Sequence, residues 1–258
     1  MPPPRRGHRI AGVPSGEHAD KAVRARSFGV AADVYERARP LYPDEAIDWL
    51  LPEGARTVLD LGAGTGKLTR ALAARGLDVV AVEPLVEMRT SLSWAVPDAR
   101  VLDGTAEAIP LEDDSVDAIT VAQAWHWVDP ERATAEAARV LRPGGTLALI
   151  WNRRDERVDW VARLGKVMGA GDAELVEMEG IEIGPPFGPT ETFVTDWERP
   201  MDIDLLLEMA ASRSYIITAT PRRRKEILDG IRVLVESDPH LGTEFNFPYR
   251  TYCFKARR

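Results

Sequence analysis

The chain is 258 residues long, 45% apolar and 29% charged, with a net charge of −8. That length suits one large domain with an elaboration, the acidic balance argues against a broad nucleic-acid-binding face, and no apolar run approaches the ~20 residues of a membrane span. Cys253 is the single cysteine, so no intrachain disulfide can form and a reducing cytoplasm is the simplest compartment. His8, His18, His126 and His240 are scattered with no thiol or carboxylate at ligand spacing, so no metal is expected.

In chain order, residues 1–27 open with a stretch rich in Pro, Gly and Arg that carries no apolar periodicity and lacks the apolar core of a secretory signal. They read as a disordered tail. Order is expected from Phe28. Residues 30–38 have helical spacing, Pro40 stops that helix, and Pro43-Asp44-Glu45 opens another with acids at the positive end of its dipole.

From Thr57 apolar runs and helical patterns alternate, the signature of a parallel sheet covered on both faces. The expected strands are 57–61, 78–83, 99–103, 116–123 and 146–151, with helices at 66–75, 85–94 and 130–141. Asp129-Pro130-Glu131 supplies an N-cap and a proline at N1, and Pro143-Gly144-Gly145 turns the chain into the fifth strand. Beyond Asp155 the alternation breaks down. A helix is expected at 158–168, a Gly/Pro loop at 180–189, a strand at 191–201, helices at 204–212 and 221–237, and a final strand at 247–255 that holds Cys253 in the core.

Two charged runs have plain readings. Arg222-Arg-Arg-Lys225 opens a helix that also carries Glu226, Asp229 and Glu236, and reads as a solvated face. Glu112-Asp-Asp114 reads as the exposed turn before the fourth strand.

The stretch Thr57-Val-Leu-Asp-Leu-Gly-Ala-Gly-Thr-Gly-Lys-Leu-Thr69 is a strand, a glycine turn and a helix start. Glycines here permit positive φ and let a ligand approach main-chain N–H groups that a Cβ would shield. The spacing is neither the Gly-x-Gly-x-x-Gly of dinucleotide sites nor a P-loop, which needs Lys-Ser or Lys-Thr after its last glycine. Glu83 ends the next apolar run about 20 residues on, where a Rossmann-like site carries its ribose-binding acid. One carboxylate can accept from both ribose hydroxyls.

Asp60-x-Gly62-x-Gly64-x-Gly66 resembles motif I of the class I S-adenosylmethionine (SAM) methyltransferases. Gly104-Thr-Ala-Glu-Ala-Ile-Pro110 resembles the adenine-side loop after that family's third strand, and Asp117-Ala-Ile-Thr-Val-Ala-Gln-Ala-Trp-His-Trp127 its fourth strand. Ala138-Arg-Val-Leu-Arg-Pro-Gly-Gly-Thr-Leu-Ala-Leu-Ile150 resembles the fifth-strand unit of the type 11 branch, which includes the trans-aconitate and ubiquinone-pathway enzymes. Tyr35-x-x-x-Arg39-Pro-x-Tyr42-Pro resembles that branch's N-terminal signature. The likeness covers Phe28 to Asp155 in the right order.

The resemblance implies an α/β fold: a Rossmann-like, seven-stranded, mostly parallel sheet of order 3-2-1-4-5-7-6 with strand seven antiparallel. A methyltransferase domain would span 28–258, with a helical lid at 28–51 and a cap at 202–237 inserted between strands six and seven. Carried over position by position, it implies cofactor contacts from Tyr35, Arg39, Asp60, Leu61, Gly62, Ala63, Gly64, Gly66, Glu83, Pro84, Thr105, Ala106, Gln123 and Trp125. Arg39 would pair with the SAM carboxylate; Tyr35 and Tyr42 would either close over the methionine end or staple the lid to the core.

The function so implied is transfer of the SAM methyl group to a small-molecule acceptor by in-line displacement, where alignment and desolvation are the enzyme's main contribution. The acceptor is a carboxylate or another oxygen nucleophile; neither nucleic acid nor a membrane is an expected partner, and the oligomeric state stays open. A base is needed only if the acceptor must lose a proton. His126, after the fourth strand, is the candidate catalytic base, or it orients a loop by hydrogen bonding. Trp127, Arg213 and Tyr215 are the candidate acceptor contacts; Arg213 either anchors a carboxylate or caps a helix C-terminus. Two other readings stand beside this one: a SAM-binding module without turnover, and a nicotinamide-dependent oxidoreductase, against which the glycine spacing counts.

Overall fold

The computed structural model describes residues 8–9, 38–169, 178 and 181–258. Its first parallel strand, β1 (Thr57–Leu61), sends Leu59 and Leu61 into one core and Val58 into another on the opposite face. A strand apolar on both faces belongs inside a covered sheet. Around it lie β2 (Asp78–Val82), β3 (Arg100–Leu102), β4 (Val116–Ala122), β5 (Leu141–Arg154), β6 (Glu191–Asp202) and β7 (Glu244–Arg257). The order is β3-β2-β1-β4-β5-β7-β6, parallel from β3 to β5, with β7 antiparallel to both its neighbours. This is the expected seven-stranded topology.

Helices α1 (Asp44–Leu50) and α2 (Lys67–Ala73) cover one face through Ile47, Leu50, Leu68 and Leu72; Cys253 lies in that core. Its burial pushes the thiol pKa up to about 12, so it is an inert packing group. Helix α3 (Val86–Ala95) follows β2 and buries Met88 and Leu92. On the other face sit α4 (Pro130–Val140) and the segment with Ile181, Ile183 and Phe187. Asp129 caps α4 as expected, its carboxylate accepting from the N–H groups of Glu131 and Arg132 at 3.1 and 3.3 Å.

The fifth strand is longer than 146–151 at both ends. Leu141 already pairs with Val116 and Thr146 with Ala118, so Pro143-Gly144-Gly145 is a bulge within β5 and not a turn before it. Gly144 has φ 79°, and a Cβ on Gly145 would lie 2.9 Å from the carbonyl oxygen of Arg142. Beyond Trp151, pairing with β7 carries β5 to Arg154. β7 starts at Glu244, ahead of 247, because β6 pairs with it down to Asp202.

A separate core lies beyond the sheet. Helices α5 (Asp159–Met168), α6 (Ile203–Ala211), α7 (Ser214–Ile217) and α8 (Pro221–Ser237) bury Leu164, Met168, Leu206, Met209, Ile216 and Ile231 against Phe245, Phe247 and Tyr249 of β7. A Cβ on Gly230 would lie 2.9 Å from Val167, so that glycine sets how closely α8 approaches α5. On its outer face α8 pairs Arg222 with Glu226 and Lys225 with Asp229, which is a solvated ionic surface. Asp113 and Asp114 sit in the exposed turn before β4 and pair with Arg139 and Arg258.

Phe28, Tyr35 and the helix expected over 30–38, apart from Ala38, lie outside the described residues, as does most of 1–27. Within that tail His8–Arg9 pairs in parallel with Ile181–Glu182.

Candidate active site

β1 ends at Leu61, which is buried, and five residues turn the chain into α2. Gly62, Gly64 and Gly66 have φ of 71°, 57° and 90°, a region that disfavours any Cβ. Their surroundings differ. A Cβ on Gly62 would lie 2.9 Å from Ala124 Cβ and one on Gly66 would lie 2.9 Å from Leu92 Cγ, whereas one on Gly64 would meet nothing within 4 Å among the described residues. Gly62 and Gly66 thus serve close packing, and Gly64 turns bare main chain toward open space.

The loop is held from below by β2. The N–H groups of Gly62 and Ala63 donate to the carbonyl of Val82 at 2.8 and 3.1 Å. Glu83, 6% exposed, accepts the N–H of Gly64 on Oε2 at 2.9 Å and that of Leu85 on Oε1 at 3.0 Å. Burial raises its pKa, opposed by those two N–H bonds and by Arg89. Each oxygen keeps a further lone pair. Arg89 donates to the carbonyls of Glu83 and Pro84 and to Asp103, which fixes the corner between β2 and α3.

Asp60 is fully buried beneath the loop. Its Oδ2 accepts from Thr69 Oγ1 at 2.6 Å, and its Oδ1 has no hydrogen-bond partner among the described residues. Desolvation lifts its pKa to about 7, against the hydrogen bonds from Thr69.

The other expected residues fall at the carboxyl ends of the strands, where open α/β sheets bind ligands. Thr105 bridges to Ala108, and Ala106 is buried. Gln123 has φ 56°; its N–H donates to Ile150 O and its Nε2 to Asn152 O at 3.2 Å. Residues Trp125–Trp127 form a 3-10 turn in which Trp125 is core, 2% exposed, and His126 tilts over Trp127 at 4.8 Å. Trp127 and Thr105 line one cleft of about 330 Å³ together with Glu107, Asp129 and Arg132, none of them a site candidate from the sequence. Arg39 donates from Nε to Ser212 Oγ at 3.0 Å and from Nη2 to Ser212 O at 3.1 Å. Arg213 is the next residue, half-buried between α6 and α7 with Nη2 3.8 Å from Met209 Sδ, and Tyr215 packs on the insertion core.

Residues 59–149 match the type 11 methyltransferase family, described as a methyltransferase domain. The chain is also 52% identical over 232 residues to an uncharacterised methyltransferase of Mycobacterium tuberculosis, an alignment covering 89% of this chain and 95% of that one. The chain belongs to the type 11 methyltransferases. An uncharacterised methyltransferase-like protein of Schizosaccharomyces pombe is 32% identical to it over 92% of this chain and 97% of the relative. A solved structure described as a type II methyltransferase from Anaeromyxobacter dehalogenans is 26% identical, with a TM-score of 0.65 over 85% of this chain and 97% of that one.

Type 11 methyltransferases use SAM, and the loop of this methyltransferase fits that group on two observations. The main chain at Gly64, open among the described residues, leaves room for the methionine half of SAM, which brings no phosphate, and the Glu83 carboxylate has acceptor capacity left for vicinal hydroxyls. Sequence reasoning missed Thr69, Arg89 and Asn152, which brace the methyltransferase site from neighbouring elements. Only Thr69 left a local signal, since a hydroxyl one turn into the helix sits over the last strand residues.

Proposed function

We propose that this methyltransferase acts on an oxygen nucleophile of a small acidic molecule, a carboxylate first among them, bound between the strand ends and the insertion. The observation that carries this is Ser212: Arg39 docks on its Oγ and carbonyl, and Arg213 is the next residue, with its guanidinium at Met209, so arginines from distant parts of the sequence reach the same corner of the insertion. A guanidinium fork matches a carboxylate bidentately. We read 28–258 as one methyltransferase unit, with 28–51 as its lid and 202–237 as its cap.

Bound in this site, SAM supplies a methyl group that its sulfonium already makes electrophilic. The chain's own share is to align and dry the reacting pair. Glu83 takes the ribose hydroxyls, and the Gly62–Gly66 loop takes the methionine half, with Asp60 supporting it through Thr69. Thr105, Ala106 and Pro84 border the adenine side, while Gln123 and Trp125 hold the end of β4. Trp127, Arg213 and Tyr215 face the acceptor. A carboxylate has no proton to lose, so His126 is required as a base only if the acceptor is a phenol or alcohol.

The test is turnover of SAM, read as S-adenosylhomocysteine, across panels of carboxylic acids, phenols and amines. Turnover confined to carboxylic acids and unchanged by His126→Gln is the expected result, with KM for the acid raised about tenfold in Arg213→Gln. Turnover of amines alone would sink the oxygen-acceptor reading. Cofactor binding with no turnover on any panel would make the chain a binding module.

A further inference from the structure

Tyr249 is 1% exposed, yet its hydroxyl has no hydrogen-bond partner among the described residues. Its ring is firmly placed, stacked on Trp197 at 4.9 Å and tilted against Phe247 at 4.9 Å. Buried hydroxyls are nearly always satisfied, and one left over in a rigid setting calls for a partner such as water or an ion. The polar groups beside it on the same sheet face are satisfied: Trp197 Nε1 donates to Thr251 Oγ1 at 2.8 Å, Thr251 donates to Asn152 Oδ1 at 2.6 Å, and Asn152 Nδ2 donates to Leu41 O at 2.8 Å. The polar ladder stops at Tyr249.

What surrounds that hydroxyl is cationic. Arg154 stands directly opposite Tyr249 in the β5–β7 register, its side chain 7% exposed and paired with Glu156 at 3.1 Å. Arg199 lies on β6 two residues beyond Trp197, the register partner of Tyr249, and so shares its face; it donates to the carbonyl of Ala38 at 2.6 Å. Arg39 and Arg213 close the group from the Ser212 side. Burial raises the Tyr249 pKa, and the fields of Arg213, Arg199, Arg39 and Arg154 oppose that rise, so all four are within electrostatic reach of the hydroxyl.

We propose that Tyr249, Arg154, Arg199 and Arg213 form an oxyanion receptor for the acceptor molecule, with the Tyr249 O–H donating to an oxygen that the guanidiniums hold. The ligand class is a compact oxyanion on the acceptor, a carboxylate or a phosphate. This rests on the methyltransferase reading of the same site and adds the group by which the acceptor is selected. Arg39, which the family resemblance pairs with the cofactor's own carboxylate, is left outside this receptor: β7 is three strands from β1 through β4 and β5, ~14 Å at the usual strand spacing, and the methionine half is assigned to the glycine loop. The reacting atom of the acceptor then points toward β4, two strand spacings or ~10 Å from β7.

The full chain is titrated calorimetrically with succinate and with inorganic phosphate, each with and without saturating S-adenosylhomocysteine, in wild type, Tyr249→Phe and Arg199→Gln. S-adenosylhomocysteine affinity is measured in all three. At least one oxyanion should bind wild type saturably, and both variants should weaken it about tenfold, the usual loss for a hydrogen bond to a charged group, with S-adenosylhomocysteine affinity unchanged. Which probe binds distinguishes a carboxylate from a phosphate. Tyr249→Phe keeps the ring packing and removes an unsatisfied hydroxyl, so it should fold and melt no lower than wild type. Failure of both probes to bind wild type, or equal binding in all three proteins, overturns the receptor. Loss of S-adenosylhomocysteine affinity in Arg199→Gln also overturns it, by moving the cofactor's carboxylate there. Wild type that binds oxyanions but not S-adenosylhomocysteine would instead fail the cofactor reading and leave the receptor standing.

Discussion

Glu83 Oε2 accepts the main-chain N–H of Gly64 at 2.9 Å, so the carboxylate expected to hold ribose also holds the glycine loop. On the proposed reading, one side chain sets the loop's position and also takes the cofactor's hydroxyls. Glu83→Ala should weaken S-adenosylhomocysteine binding by about 1.5–3 kcal/mol, from lost hydrogen bonds to a charged group. Glu83→Gln keeps one acceptor oxygen and should lose less. Calorimetric titration of the three proteins checks this; equal affinities would remove Glu83 from the site.

The glycines of the loop should separate by what a methyl group meets. Gly64→Ala meets no atom within 4 Å among the described residues and should cost about 1–2 kcal/mol of stability, from its positive φ alone, while abolishing S-adenosylhomocysteine binding. Gly66→Ala also drives a Cβ into Leu92 and should cost about 2–5 kcal/mol. Urea unfolding beside ligand titration reads both effects. A Gly64→Ala protein that binds like wild type would show that the cofactor does not approach this main chain.

Asp60 links stability to pH in a defined direction. Its folded pKa is about 7, above the unfolded value of about 4, so between those values the native state binds more protons than the unfolded state. Stability should therefore fall as pH rises from about 4 to 7 and gain no further loss from this group above that. Asp60→Asn keeps an acceptor for Thr69 and cannot ionise, so the difference between variant and wild type should widen across that window. Denaturant unfolding of both proteins at pH 5, 6, 7 and 8 measures it, and parallel curves would refute the assignment.

Asn152 joins three segments: its Nδ2 donates to Leu41 O, its Oδ1 accepts from Thr251, and its carbonyl accepts from Gln123. Thr251 is fully buried, so Asn152→Ala leaves its hydroxyl proton without an acceptor and releases Leu41. The expected loss is about 2–3 kcal/mol in urea unfolding. Hydrogen exchange should rise around 38–42 in the same variant, because that segment loses an anchor to β5. Unchanged exchange there would mean that Arg39 and Arg199 alone secure the segment.

The sheet and the glycine loop were legible from the sequence because local physics decides them. Val58, Leu59 and Leu61 alternate between two apolar faces, the three glycines occupy a left-handed turn, and Asp129-Pro130 starts a helix wherever it stands. Each signal lies within a few residues of what it specifies. The β5 bulge was not legible, since whether Pro143-Gly144-Gly145 ends or continues a strand depends on Val116 finding Leu141. Nor was the pairing of α5 with the insertion, which rests on Gly230 meeting Val167, 63 residues away in the chain. The arginines around Tyr249 come from β5, β6, α6–α7 and the segment before α1, and Arg154 meets Tyr249 only through antiparallel register. Side-chain chemistry at strand ends is assembled by long-range pairing, and no periodicity in the sequence encodes which cations will share one hydroxyl.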